Sequence, residues 1–200
     1  MAKKRLPKYL KVEAIERMMK IGIPSGYNVE RNRVLIWMLY TTGLRLSEIE
    51  KINIEDVVED GEVVQSFFLV GKGDKERIIR LPQETRKLIK EYLGDRVYDY
   101  GPLFIHSGGK RLKARSIRGL IKRIGERANI TIQSEHGRKT PTTHTFRHSF
   151  AVNLLNNGVD IVRIQQLLGH SNLNTTRVYT QLSDKDLDET LDEVEWGSPR

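Results

Sequence analysis

The stretch HTFRHSFAVNLLNNGVDIVRIQQLLGHSNLNTTRVYT, from His144 to Thr180, gathers His144, Arg147, His148, His170 and Tyr179 within 37 residues. Its apolar spacing is helical throughout, so this much polar chemistry calls for a reason. Two readings compete. In one, VDIVRIQQLLGHSNLNTTRVY is a helix, a Gly-containing turn and a second helix, in which Asn174 and Arg177 touch DNA base edges while Tyr179 packs. In the other, the cations and imidazoles surround a phosphate that Tyr179 attacks. A planar guanidinium meets phosphate oxygens as a fork and stays charged at any relevant pH. Attack at phosphorus spreads charge over its oxygens, and donors fixed where that charge develops form a preorganised clamp. Free tyrosine titrates near ~10, so it needs a base or cationic surroundings to attack at neutral pH. The departing alkoxide needs a positioned acid. The chain has seven tyrosines and most tyrosines are core or interface residues, so Tyr179 alone decides nothing.

These groups need elements to hold them. LKVEAIERMMK (10–20) reads as a helix, followed by a Gly/Pro/Ser/Asn loop at 22–28. RNRVLIWMLYTTG is apolar on nearly every side from Val34 to Tyr40, as a buried helix is, and stops at Gly43. LRLSEIEKI resumes helical spacing and sets Arg45 and Glu48 three apart on one face. Two turn signals, Asp60-Gly61 and GKGDK, then separate β-branched and aromatic runs, which predicts a three-stranded antiparallel meander near 56–59, 62–70 and 76–81. QETRKLIKEYL is helical, and GPLFIHSGGK is a short extended piece with a loop. ARSIRGLIKRIGERANI is a helix whose basic face carries Arg115, Arg118, Lys122 and Arg123. Residues 133–143 read as a polar loop and the remainder as helix. The fold class is mainly α with a small three-stranded antiparallel β-sheet (α+β).

Bulk charge narrows the partner. The chain has 34 Lys+Arg against 26 Asp+Glu, a net of +8. Residues 183–200 hold seven of those acids, so the body before them is more basic still. A basic body with an acidic tail points to a polyanion, usually nucleic acid. The tail spaces Leu187, Leu191 and Val194 helically among its acids, a narrow apolar stripe that fits either its own domain or a neighbouring protomer's. An acidic solvated helix face is far commoner than a metal cluster, so no metal is assigned to it. There is no cysteine, which removes disulfides, thiol catalysis and Cys-ligated zinc. No 18-residue apolar run offers a transmembrane helix, and MAKKRLPKYLKV lacks the apolar core of a secretory signal. A cytoplasmic protein is the expectation.

Five boxes occur in order: TGLRLSE (42–48), GKGDKERIIRLP (71–82), HTFRH (144–148), LGH (168–170) and TTRVYT (175–180). Together they resemble the boxes of the tyrosine recombinase (phage integrase) family, most closely its Xer-type members, over about Leu6 to Gln181. The resemblance implies the catalytic-domain fold of that family and site-specific DNA cleavage and rejoining through a 3′-phosphotyrosine. It makes Tyr179 the nucleophile and sets Arg45 and Arg147 on the scissile phosphate. It selects Lys72 over Lys75 as the acid for the leaving 5′ oxygen. It also selects His144 over His148 for acid–base transfer with the tyrosine, gives His170 a supporting place at the phosphate, and lets Glu48 hold the first arginine box together. His106 and His136 are assigned no role.

DNA contacts are expected from Arg115, Arg118, Lys122 and Arg123, with Lys75 and Arg77 of the hairpin. The partners implied are double-stranded DNA and further protomers in a tetrameric synapse, with no membrane. Two arginines, a lysine and histidines supply the electrostatics that many nucleases take from metal ions, so no cofactor is expected. Neither GKGDKE nor SGGKRL fits an ATP-binding P-loop, in keeping with a protein ester that conserves the bond energy. The expected organisation is a catalytic domain over 1–182 with a basic arm at 1–8, and an acidic tail at 183–200. The family's N-terminal helical DNA-binding domain is not expected in so short an arm, which predicts weaker and strongly salt-dependent binding. Two rivals remain: a type IB topoisomerase, which shares the chemistry but relaxes supercoils, and a non-catalytic helix-turn-helix protein.

Overall fold

The apolar run from Val34 to Tyr40 becomes the axis around which the chain is built. The computed structural model describes residues 9–22, 28–70, 76–134, 137–168 and 190–199. Helix α1 (Val12–Arg17) leads into a π-helical turn at Met18–Gly22, which packs against the later basic helix. The sequence pattern suggested one unbroken helix here. The wider turn seats Met18 and Met19, neighbours in sequence, together in the core. Helix α2 (Val29–Thr42) buries every residue from Val34 to Thr42, because it is covered on several sides by later helices.

Helix α2 ends at Gly43, whose φ of +61° is the left-handed C-terminal cap that glycine adopts without strain. A Cβ there would also lie 2.7 Å from Phe150 and 3.0 Å from Leu168, so a side chain is excluded twice. The chain then turns into α3 (Leu46–Lys51), with Arg45 as its extended N-cap.

The expected meander is present as three antiparallel runs, but they pair as two hairpins. Residues Ile54–Val57 form a helical turn, α4, in place of the start of the first strand. Its cause is local: the Asp56 carboxylate accepts from the Asn53 N–H at 2.7 Å and caps the turn. Strands β1 (Val58–Glu59) and β2 (Glu62–Val63) then pair across Asp60-Gly61, where both φ angles are positive, the geometry of a tight two-residue hairpin. Strands β3 (Ser66–Val70) and β4 (Glu76–Arg80) form the second ladder. A bend at Val64 and Gln65 divides them. The Val64 N–H still bonds to the Val57 carbonyl, while the Gln65 carbonyl accepts from Leu81, so the chain hands over from one partner strand to the next.

Helix α5 (Gln83–Leu93) packs on α2, and a 3-10 turn (Gly94–Tyr98) follows it. Helix α6 (Ala114–Arg127) buries Ile117, Leu120, Ile121 and Ile124 and turns its charged residues outward. Within the stretch expected to be loop, β5 (Ile132–Ser134) and β6 (Gly137–Lys139) pair antiparallel. Helix α7 (Thr143–Asn156), capped by the Thr142 hydroxyl, packs on α2 and on α8 (Ile161–Leu168). Residues 190–199 lie against this chain's own core. Leu191, Val194 and Trp196 are buried there, with Trp196 stacked on Phe150 at 5.8 Å and edge-on to Tyr40 at 5.4 Å. Leu187, the first residue of the expected apolar stripe, is outside the described residues, as is the basic arm 1–8. Among the described residues, no helix is long and apolar enough to cross a membrane.

Candidate active site

The centre of the site is Arg147. Two residues past the Thr142–Thr145 capping hydrogen bonds that start α7, its side chain enters the protein and is only 8% exposed. A buried guanidinium needs acceptors, and two backbone carbonyls provide them. Nη1 donates to Gly43 O at 2.6 Å and Nη2 to Leu168 O at 2.7 Å. Gly43 stands two residues before Arg45, and Leu168 two residues before His170. One side chain therefore ties together three of the five sequence boxes.

Arg45 and Glu48 form the second layer. Glu48 is buried, yet its carboxylate is fully engaged. Oε2 accepts from the Arg45 backbone N–H at 2.7 Å, which caps α3, and Oε1 accepts from Arg45 Nη1 at 2.7 Å. Arg77 Nη2 donates to Oε2 at 2.6 Å, and Arg77 Nη1 to Leu167 O at 3.1 Å. Burial alone would raise the Glu48 carboxyl, but the Arg45 N–H and the Arg77 and Arg45 guanidiniums outweigh it and hold it below the usual carboxylate range. Arg147 feels the opposite balance. Burial first, then the charges of Arg45 and Arg77, lower it to about 10, with Glu48 offsetting part of the effect. It stays charged at neutral pH, in a setting that a bound anion would relieve. Three guanidiniums and one carboxylate in this cluster leave an excess of two positive charges, which attracts an anion.

With this geometry in place, the sequence profile described as the phage integrase family matches residues 8–186. The chain belongs to the phage integrase family. It is 37% identical over 187 residues to the tyrosine recombinase XerD of Staphylococcus haemolyticus, covering 90% of this chain and 60% of that protein. It is equally 37% identical over 194 residues to the tyrosine recombinase XerA of Pyrococcus furiosus, covering 94% of this chain and 62% of that protein. A crystal structure of the XerH site-specific recombinase bound to difH substrate, a pre-cleavage complex, superposes with a TM-score of 0.66 at 31% identity, over 94% of this chain and 55% of that one. The chain thus spans about 60% of the length of the curated relatives it matches.

In this integrase-family chain the remaining sequence-derived residues fall into three groups. His144 lies in the first turn of α7 and is exposed. His148, one turn on, is also exposed. Partial burial and the neighbouring His144 push it below the usual imidazole range, and the Tyr9 ring meets it edge-on at 6.4 Å. Arg115, Arg118, Lys122 and Arg123 are all exposed on α6. Lys72, Lys75, His170 and Tyr179 lie outside the described residues.

Arg77, expected among the DNA-contacting residues, has a side chain that is 9% exposed and turned to Glu48. The reason is strand alternation: Arg77 lies opposite Leu69 and Ile79 opposite Phe67, so both arginine and isoleucine point to the core side. The sequence carried only part of that signal: Ile79, two residues on, shares the Arg77 face and is apolar. The carbonyls of Gly43 and Leu168 carried none, because any residue has one.

Proposed function

We propose that this chain cleaves and rejoins double-stranded DNA by site-specific transesterification, working with further protomers in a recombination synapse. The observation that carries the reading is Arg147, whose bonds to the Gly43 and Leu168 carbonyls gather it with Arg45, Arg77 and Glu48 in one cationic cluster. In this reading Arg45 and Arg147 hold the non-bridging oxygens of the scissile phosphate, with His170 in support. The Tyr179 oxygen forms a bond to phosphorus as its proton passes to His144. The bond from phosphorus to the 5′ oxygen breaks, and Lys72 protonates that oxygen. The product is a 3′-phosphotyrosine and a free 5′-hydroxyl. One P–O bond is made for each one broken, so a 5′-hydroxyl can reverse the step without ATP. Fixed guanidiniums supply the charge stabilisation, so the reading requires no metal cofactor. The exposed cations of α6 add sequence-independent contacts to phosphates along the duplex. Similarity to XerH, solved on its difH substrate, supports DNA as the substrate here.

Incubation with nicked suicide duplexes tests the reading. A covalent protein–DNA adduct mapping to Tyr179 is expected, lost in Tyr179→Phe while DNA binding persists. DNA binding by the wild type with no adduct, or an adduct elsewhere, would overturn it. Robust relaxation of plasmids lacking any recombination site would transfer the assignment to a type IB topoisomerase.

A further inference from the structure

We infer that Arg77 is a positioning residue of the phosphate pocket, acting through Glu48 to keep Arg45 available to the anion and through the Leu167 carbonyl to lock strand β4 onto the end of α8. The inference rests on the phosphate-binding reading above and extends it to a residue outside the expected catalytic set. Arg77 makes no packing sense as a simple sheet residue. An apolar side chain would fill that inward position without desolvating a charge, and replacing buried ion pairs by apolar groups is often neutral or stabilising. Instead Nη2 meets Glu48 at 2.6 Å, Nη1 meets Leu167 O at 3.1 Å, and Nε is buried without an acceptor among the described residues. The arrangement fixes the carboxylate, and with it the partition of charge.

Glu48 has one negative charge and serves two guanidiniums. With Arg77 in place, Oε2 is shared between Arg77 and the Arg45 N–H, and only Oε1 faces the Arg45 side chain. Arg45 then keeps its other donors and a side chain that is 45% exposed, open to a phosphate. Without Arg77 the whole carboxylate charge falls to Arg45, neutralising the cation the phosphate needs. Strand β4 begins four residues after Lys72 in sequence, and the Arg77–Leu167 bond anchors it beside the Arg147–Leu168 bond.

The test is a double-substitution cycle of Arg77→Gln and Glu48→Gln, read as single-turnover adduct formation and as DNA affinity. Arg77→Gln should slow cleavage at least about tenfold while affinity changes less than about threefold, because charge placement matters most where transition-state charge develops. In the Glu48→Gln background the same change should cost less than about threefold, since groups acting as one unit are not additive. Additive losses, equal losses of rate and affinity, or an unchanged rate would each overturn the inference. Arg77→Lys, which keeps the charge but not the two-point bridge, should restore part of the rate; if Arg77→Gln does not fold, it carries the same cycle. A second arm needs no cleavage: inorganic phosphate should shift the Arg45 Nε–H resonance in the wild type and clearly less in Arg77→Gln or Arg77→Lys. An undiminished shift sinks the inference even if Tyr179 forms its adduct. Failure of the wild type to form that adduct, with the resonance behaving as expected, would fault the cleavage reading and not the role of Arg77.

Discussion

Arg147 and Arg118 carry the same guanidinium in opposite surroundings. Arg147 is sealed in the protein, tethered to two carbonyls and pressed by two other cations. Arg118 stands in solvent on α6, with Arg115, Lys122 and Arg123 exposed near it. A buried cation has paid its desolvation in advance and holds one geometry, so it can act at one phosphate. A solvated cation has no fixed geometry, is screened by salt, and draws in any phosphate nearby. In the proposed function, basic charge would therefore serve two ends: position around Arg147 and attraction on α6.

That contrast breaks if Arg147→Gln behaves like a surface change. It should reduce adduct formation at saturating DNA by at least about 100-fold, the scale of losing a transition-state donor. It should also lower the unfolding free energy by roughly 2 kcal/mol, because a buried carbonyl loses its donor. Single-turnover cleavage and urea denaturation measure the two effects.

Glu48→Gln probes the same pocket from its anion, with an expected rate loss of about tenfold. It also has a pH signature. The folded carboxyl is held below its unfolded value, so its stabilisation is complete above the ordinary carboxylate range and disappears as pH falls through the depressed value. Urea midpoints taken at decreasing pH should show this acid loss in the wild type, and the substitution should reduce it.

On α6, Arg118→Ala should weaken DNA binding only a few-fold, flatten the slope of log affinity against log salt by about 1, and leave cleavage at saturating DNA unchanged. Salt-titrated binding isotherms would reveal a rate effect or an unaltered slope, either of which erases the distinction. The smallest effect is expected at His148. Its folded value lies below its unfolded one, so the folded protein resists protonation, and its contribution is lost as pH falls through the ordinary imidazole value. A slight drop in melting temperature between about pH 7 and pH 5 should be smaller in His148→Gln.

Much of the scaffold was legible because its signals are local. The 3.6-residue period marked α5, α6 and α7, an all-round apolar run marked α2, Gly43 marked a helix end, and the spacing of Arg45 and Glu48 foretold their ion pair. Other features were missed although their signals were local too: the Asn53–Asp56 cap that turns 54–57 helical, and the alternation that sends Arg77 inward. The short β5–β6 hairpin hid in a polar stretch with no alternating apolar face. Trp196 escaped because its partners, Tyr40 and Phe150, lie far off along the chain.

By itself the sequence determined which residue types are available, the helices that carry most of them, and the ordered boxes that place the chain in its family, since period, turn chemistry and motif spacing are written over short distances. Only the tertiary structure decided that Arg77 joins Glu48, that Arg147 grips the carbonyls of Gly43 and Leu168, and that the end of the chain closes over Phe150. Those contacts join segments as much as 104 residues apart. Their energies depend on burial and on neighbouring charge, which no local pattern encodes.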